Sequence, residues 1–162
     1  MIRDHGSRQK YMNGVLGVNS RMDALQAVVL SARLRRLAAW NAARREAAAL
    51  YNVLRSGLED VLRPRTLEGN EHVWHLYVVR VPDRDRVLKE LNAAGIGAGI
   101  HYPVPIYPSI RLTPALASLR YGDGAFPVAE RTAARLLTLL LFAEITAEQQ
   151  ERVMCALAAA LG

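Results

Sequence analysis

Cysteine is nearly missing from this sequence: Cys155 is the only one in 162 residues. A single thiol closes no internal disulfide, which excludes a small scaffold held together by disulfides. Cys155 lies in an Ala/Leu-rich segment of helical spacing with no charged residue adjacent, so it is expected as a buried or half-buried packing residue rather than a reactive thiol. Lysine is scarce too, limited to Lys10 and Lys89, so nearly all of the 21 basic residues are arginines. Aromatics make up only 6%. No apolar run reaches the roughly 18 to 20 residues needed to span a bilayer, because arginine interrupts each Leu/Ala-rich stretch. Behind Met1, the residues Ile2, Arg3, Asp4 and His5 offer no apolar leader segment. The expectation is a cytoplasmic chain without a membrane anchor.

Acids are outnumbered 15 to 21, giving a net charge of +6. Clustered basic residues would suggest nucleic acid. Here the arginines are spread among alanines and interleaved acids, from Arg33 to Arg135, which argues against that partner. With 51% hydrophobic residues, the chain can bury one sizeable core, or a smaller domain with a helical extension.

Residues 1–21 are polar and punctuated by Gly6, Gly14 and Gly17, and read as an irregular arm. From Met22 the apolar positions Leu25, Val29, Leu30, Leu34 and Leu37 step by three and four, the helical period. Asn19 or Ser20 is the expected N-cap, with Asp23 in the first turn. Ala47, Leu50, Tyr51 and Leu54 continue the stripe, giving one long helix over 22–57 or two with a break near Trp40–Asn41, stopped at Gly57.

Residues 58–162 read as a small α+β domain. His72 to Val81 is rich in β-branched and aromatic residues and predicts a strand. Asp83 or Asp85 caps a short helix ending at Gly95, and Ile96 to Tyr102 predicts a second strand. Strand, helix and strand fit either a crossover unit or an antiparallel α+β arrangement. Pro103, Pro105, Pro108 and Pro114 impose an extended loop. A helix over 128–136, a third strand over 137–142 and a last helix capped by Thr146 complete the pattern.

Common catalytic signatures are missing. His72 and His75 lie three apart, which on a strand sends them to opposite faces and away from a shared metal ion. No serine sits in a G-x-S-x-G elbow. Gly95, Gly97 and Gly99 follow a helix and lead into a strand, the reverse of the order a dinucleotide fingerprint requires.

More specific is an ordered set of strings. Arg3-Asp4-His5-Gly6 comes first, then Gly17-Val18-Asn19-Ser20-Arg21-Met22-Asp23, and Trp40-Asn41 with Arg44 and Arg45. His72-Val73-Trp74-His75-Leu76-Tyr77, Gly99-Ile100-His101-Tyr102-Pro103 and Phe126-Pro127-Val128-Ala129-Glu130 follow. Together they resemble the C-terminal portion of the DegT/DnrJ/StrS-type sugar aminotransferases over nearly the whole chain.

The resemblance implies a fold-type-I aminotransferase: a long N-terminal helix and a small C-terminal α+β domain of about three strands with flanking helices. Its cofactor is pyridoxal phosphate, held on a lysine as a Schiff base and serving as electron sink while an amino group passes from an amino acid, usually glutamate, to a keto-sugar nucleotide. It further implies that Asn19, with Arg21 as helper, reaches the cofactor phosphate of a partner subunit. His101, Tyr102 and Tyr107 are implied at the nucleotide-sugar substrate, and His5 in a supporting position behind the arm.

Two departures from the family stand out. Tyr107 replaces a histidine common in relatives, and Thr138-Leu139-Leu140-Leu141-Phe142-Ala143 replaces a proline-containing Ser-Leu-Pro string. The resemblance places the family's lysine a few tens of residues before Arg3-Asp4-His5-Gly6, on the large domain, and the acid that pairs with the pyridine nitrogen on that domain too. Lys10 follows that string, and Lys89 lies on a predicted small-domain helix beside Glu90. The expectation is therefore a chain that is inactive by itself, binds pyridoxal phosphate unstably, and pairs with itself or with an intact aminotransferase subunit. The alternative is a non-catalytic dimerisation module, since the apolar stripe from Met22 to Leu54 would otherwise face solvent. A basic nucleic-acid-binding protein is the third reading.

Overall fold

The computed structural model describes residues 7–9, 12–13, 15–18, 20, 22–54, 57–103 and 124–162. The chain divides into two compact units, Met1–Ala39 and Trp40–Gly162.

In the first unit, β1 (Ser7–Gln9) pairs antiparallel with β2 (Met12–Asn13). Helix α1 spans Ala24–Leu34. Its cap is Asp23, not Asn19 or Ser20: the Asp23 carboxylate accepts the Leu25 N–H at 2.8 Å, and Gln26 Oε1 accepts the Asp23 N–H at 3.3 Å. This reciprocal box satisfies donors that a helix start leaves open. Not one residue of α1 is buried.

Helix α2 (Leu37–Leu54) follows after a turn at residues 35–36. The break thus falls earlier than Trp40–Asn41. Asn41 does not interrupt the helix because its side-chain oxygen accepts from the Arg44 guanidinium one turn on.

The second unit holds the core. Ala47, Ala48 and Tyr51 form the buried face of α2. After a loop come β3 (Tyr77–Arg80), α3 (Arg84–Ala93), α4 (Pro127–Ala133), β4 (Leu136–Leu139) and α5 (Ala147–Leu161). β3 and β4 pair antiparallel, with Tyr77 opposite Leu139 and Arg80 opposite Leu136. Alternation sends Tyr77, Val79, Leu137 and Leu139 into the core with Val87, Leu91, Val153 and Leu157. Val78, Arg80 and Leu136 lie on the opposite face. Each fully buried leucine contributes about 1.5–3 kcal/mol.

The expected second strand is reduced to a bridge. Gly99 exchanges two backbone hydrogen bonds with Thr138, at 3.1 and 2.7 Å, and no further pairing follows among the described residues. β4 therefore lies between β3 and the Gly99 segment and runs antiparallel to both. The sheet is short and antiparallel, and the unit is α+β, with two strands rather than three among the described residues.

Helix ends show where sequence signals succeed and fail. Thr146 caps α5 as expected, its hydroxyl accepting the Gln149 N–H at 3.2 Å and Gln149 Oε1 accepting the Thr146 N–H at 3.0 Å. Asp83 precedes α3 in the left-handed region (φ 41°) and makes no side-chain cap bond, because its carboxylate accepts from Arg86 Nε at 3.0 Å instead. Gly95 ends α3 at φ 75°, a conformation that costs a glycine little.

Three arginines close C-terminal helix carbonyls. Arg152 donates to Ala94 O, Arg84 to Ala133 O and Arg86 to Ala160 O, at the ends of α3, α4 and α5. Cations at the negative helix end are favourable, so part of the arginine excess has a structural use. Gln150, fully buried, donates to Ala47 O at 2.7 Å and fastens α5 to α2. Cys155 is exposed rather than packed: Val153, Met154 and Leu157 take the inward positions of α5. Among the described residues, no helix is long and apolar enough to cross a membrane.

Candidate functional site

The edge of the small sheet at Thr138 carries the described part of the candidate site. Gly99 binds the Thr138 backbone, and two residues later the His101 ring folds back so that Nδ1 lies 3.0 Å from Thr138 Oγ1. A Cβ on residue 99 would stand 3.3 Å from His101 Cε1, so glycine there leaves room for that return. Thr138 is buried and the imidazole is exposed. With Nδ1 engaged by a fixed hydroxyl, Nε2 is the nitrogen open to a ligand, able to accept or donate a proton. Tyr102 is 74% exposed, with its ring edge-on to His101 at 5.9 Å, and the peptide joining the two is cis. His101 and Tyr102 are thus brought together. His5, Asn19, Arg21 and Tyr107 lie outside the described residues.

Behind this edge runs an aromatic series that the sequence patterns did not disclose. Tyr51 donates its hydroxyl to Leu140 O at 2.8 Å, just beyond β4, and packs on Tyr77 with ring centres 5.0 Å apart. Tyr77 donates to Asn52 Oδ1 at 2.9 Å and packs on Trp74 at 5.5 Å. His72 stacks on Trp74 at 4.2 Å, and its Nδ1 accepts the Trp74 N–H at 2.8 Å, holding Trp74 at a φ of 49°. Residues 72–75 precede the strand, so strand alternation does not govern His72 and His75. His72 has a structural use: it turns the chain so that Trp74 enters the core. Burial, and then the neighbouring Tyr77, push the Tyr51 phenol well above the ordinary tyrosine range.

Two surface clefts also escaped the sequence patterns. One, of about 750 Å³, is lined by Leu62, Arg63, Arg65, Val78, Arg80 and Leu136, among others. The second, of about 330 Å³, shares Arg63, Pro64 and Arg65 and adds Asn52, Thr66 and Trp74. Neither is lined by His101 or Tyr102.

Pyridoxal phosphate, implied by the resemblance, finds no covalent anchor among the described residues: Lys89 is exposed on α3 and lines neither cleft. The described residues alone do not fit the group.

Residues 1–158 match the DegT/DnrJ/EryC1/StrS aminotransferase family. The chain is 40% identical over 156 residues to a pleiotropic regulatory protein of Geobacillus stearothermophilus, covering 95% of this chain and 41% of that protein. It is 40% identical over 154 residues to the dTDP-3-amino-3,4,6-trideoxy-alpha-D-glucose transaminase of Streptomyces venezuelae, covering 95% of this chain and 40% of that one. The crystal structure of S. venezuelae DesV in complex with a ketimine intermediate superposes with a TM-score of 0.85 at 40% identity, over 96% of this chain and 41% of DesV. The chain therefore spans about two fifths of the length of these relatives. Its sequence across 1–158 and its fold agree, and the chain belongs to the DegT/DnrJ/EryC1/StrS aminotransferase family.

Proposed function

We propose that this chain supplies the C-terminal portion of a pyridoxal-phosphate-dependent sugar aminotransferase, which moves an amino group from an amino acid, glutamate by preference, to a nucleotide-linked keto-sugar in the cytoplasm. The observation that carries the reading is the family match from residue 1 to 158. In this reading residues 1–21 are an arm, 22–57 a helical connector and 58–162 the small domain. Asn19 and Arg21 reach the cofactor phosphate of a partner subunit, where an amide and a guanidinium suit phosphate oxygens. His101, Tyr102 and Tyr107 face the nucleotide sugar, with His5 behind the arm. The bond from Thr138 to His101 Nδ1 supports the role of His101, since it fixes the ring while leaving Nε2 to the substrate.

A chimera tests the reading: this chain replaces the matching C-terminal portion of the S. venezuelae transaminase. Amino transfer to that enzyme's keto-sugar is the expected result. A folded, dimeric, cofactor-loaded chimera without any transfer overturns it. The 162 residues alone are expected to be inactive. Incubation with pyridoxal phosphate and borohydride should yield no stoichiometric lysine adduct, and finding one would refute the inactivity.

The second reading is a dimerisation module, favoured by α1, where Leu25, Val28 and Leu34 are 79%, 69% and 65% exposed. Such a stripe is expected to meet a second copy or an intact aminotransferase subunit. Light scattering that gives a monodisperse monomer at high concentration would rule out self-association.

A further inference from the structure

The second unit has ten described arginines, and their engagement is uneven. Arg44, Arg45, Arg84, Arg86, Arg135 and Arg152 each donate to a carbonyl, an amide or a carboxylate. Arg63, Arg65, Arg80 and Arg131 make no side-chain hydrogen bond or ion pair among the described residues. Three of these four line one cleft, of about 750 Å³, and among the described residues no Asp or Glu lines it.

We propose that this cleft binds a phosphorylated small molecule, its phosphates held by Arg63, Arg65 and Arg80 and its apolar body resting on Val78 and Leu136. The floor is the outward face of the β3–β4 sheet, where Arg80 stands opposite Leu136. The loop carrying Arg63 is fixed against that floor, because Leu62 and Arg80 exchange two backbone hydrogen bonds at 2.9 Å. Arg80 therefore stands on hydrogen-bonded backbone, and Arg63 directly follows its partner Leu62. Guanidinium forks match phosphate oxygens in pairs, and three without a carboxylate partner leave a positive field that a polyanion neutralises. Small-molecule sites commonly enclose about 300–1,000 Å³ and combine an apolar floor with a few polar groups, as this cleft does. The adjoining cleft, which shares Arg63 and Arg65 and reaches Asn52 and Trp74, gives a larger ligand room beyond its phosphates. The inference stands apart from amino transfer, since neither His101 nor Tyr102 lines the cleft.

Titration of the 162-residue chain with inorganic pyrophosphate, ADP and adenosine tests it, followed by NMR of the arginine Nε–Hε groups. Pyrophosphate and ADP are expected to saturate and to shift Arg63, Arg65 and Arg80, with ADP binding at least as tightly; adenosine should not saturate. The Arg63→Gln, Arg65→Gln double variant should weaken both phosphates by about tenfold or more, as expected when charge-assisted bonds are lost. Arg131→Gln should change affinity less than about twofold. Arg80→Gln alone carries the test if the double variant misfolds. Absence of saturable binding, an equal loss in Arg131→Gln, or saturation by adenosine at the same residues overturns the proposal.

Discussion

Helices α1 and α5 begin with the same device. Asp23 with Gln26 and Thr146 with Gln149 each form a reciprocal capping box, and each leads into an apolar stripe of helical period. Beyond the cap they differ completely: α5 buries Gln150, Val153, Met154, Leu157 and Ala160, whereas α1 buries nothing. Local chemistry specifies a helix in both places, but only contact with other elements makes the stripe a core. α5 finds α3 and the sheet, along with a polar tie from Gln150 to α2.

Substitution at equivalent stripe positions should separate the two helices most. Leu157→Ala opens a void in a fully buried cluster and is expected to cost the second unit about 2–5 kcal/mol in denaturant unfolding. Leu25→Ala, at a position 79% exposed, should stay within about 0.5 kcal/mol. A comparable loss in both would break the contrast and mean that α1 is covered in solution, the outcome the dimer reading needs.

The polar tie ranks next. Gln150→Ala removes the side-chain donor to the Ala47 carbonyl and should cost about 0.5–1.5 kcal/mol, seen as a lower denaturant midpoint. The caps then sharpen the comparison. Thr146→Ala should lower the stability of the second unit by about 1 kcal/mol. Asp23→Ala should instead reduce helical circular dichroism without moving the main unfolding transition. If Asp23→Ala shifts that transition as far as Thr146→Ala, the two units unfold together.

The same division explains what could be read from the sequence. The α5 cap was legible because Thr146 and Gln149 are three residues apart, whereas the α1 cap was misplaced because Asp23 sits inside the apolar pattern it starts. Asp83 looked like a cap, but its carboxylate goes to Arg86, a competition that residue type alone does not reveal. The strand expected from Ile96 is a single bridge at Gly99, beyond which the His101 ring turns back on Thr138. His101 and Tyr102 were legible only by resemblance to the family, and Thr138, noted for departing from it, gave no sign of holding His101. The Arg63, Arg65 and Arg80 cleft was invisible for the same reason as the aromatic series: both assemble from segments that only folding brings together.

A pH dependence of the second unit is expected as well. The Tyr51 hydroxyl donates to Leu140 O while its ring packs in the core against Tyr77, so burial holds the phenol neutral and raises its pKa. In the unfolded chain the group titrates near about 10. The folded state therefore keeps a proton that the unfolded state releases, so the contribution is complete below that value and declines as pH rises above it. Wild type should lose stability from about pH 10 upward in denaturant unfolding. Tyr51→Phe should be less stable at neutral pH by about 1 kcal/mol for the lost bond, but flatter across the alkaline range. Parallel alkaline slopes in the two proteins would show that Tyr51 does not carry the effect. The helical signal of α1, which has no tyrosine between Ala24 and Leu34, should not follow this titration, and if it does the two units are coupled after all.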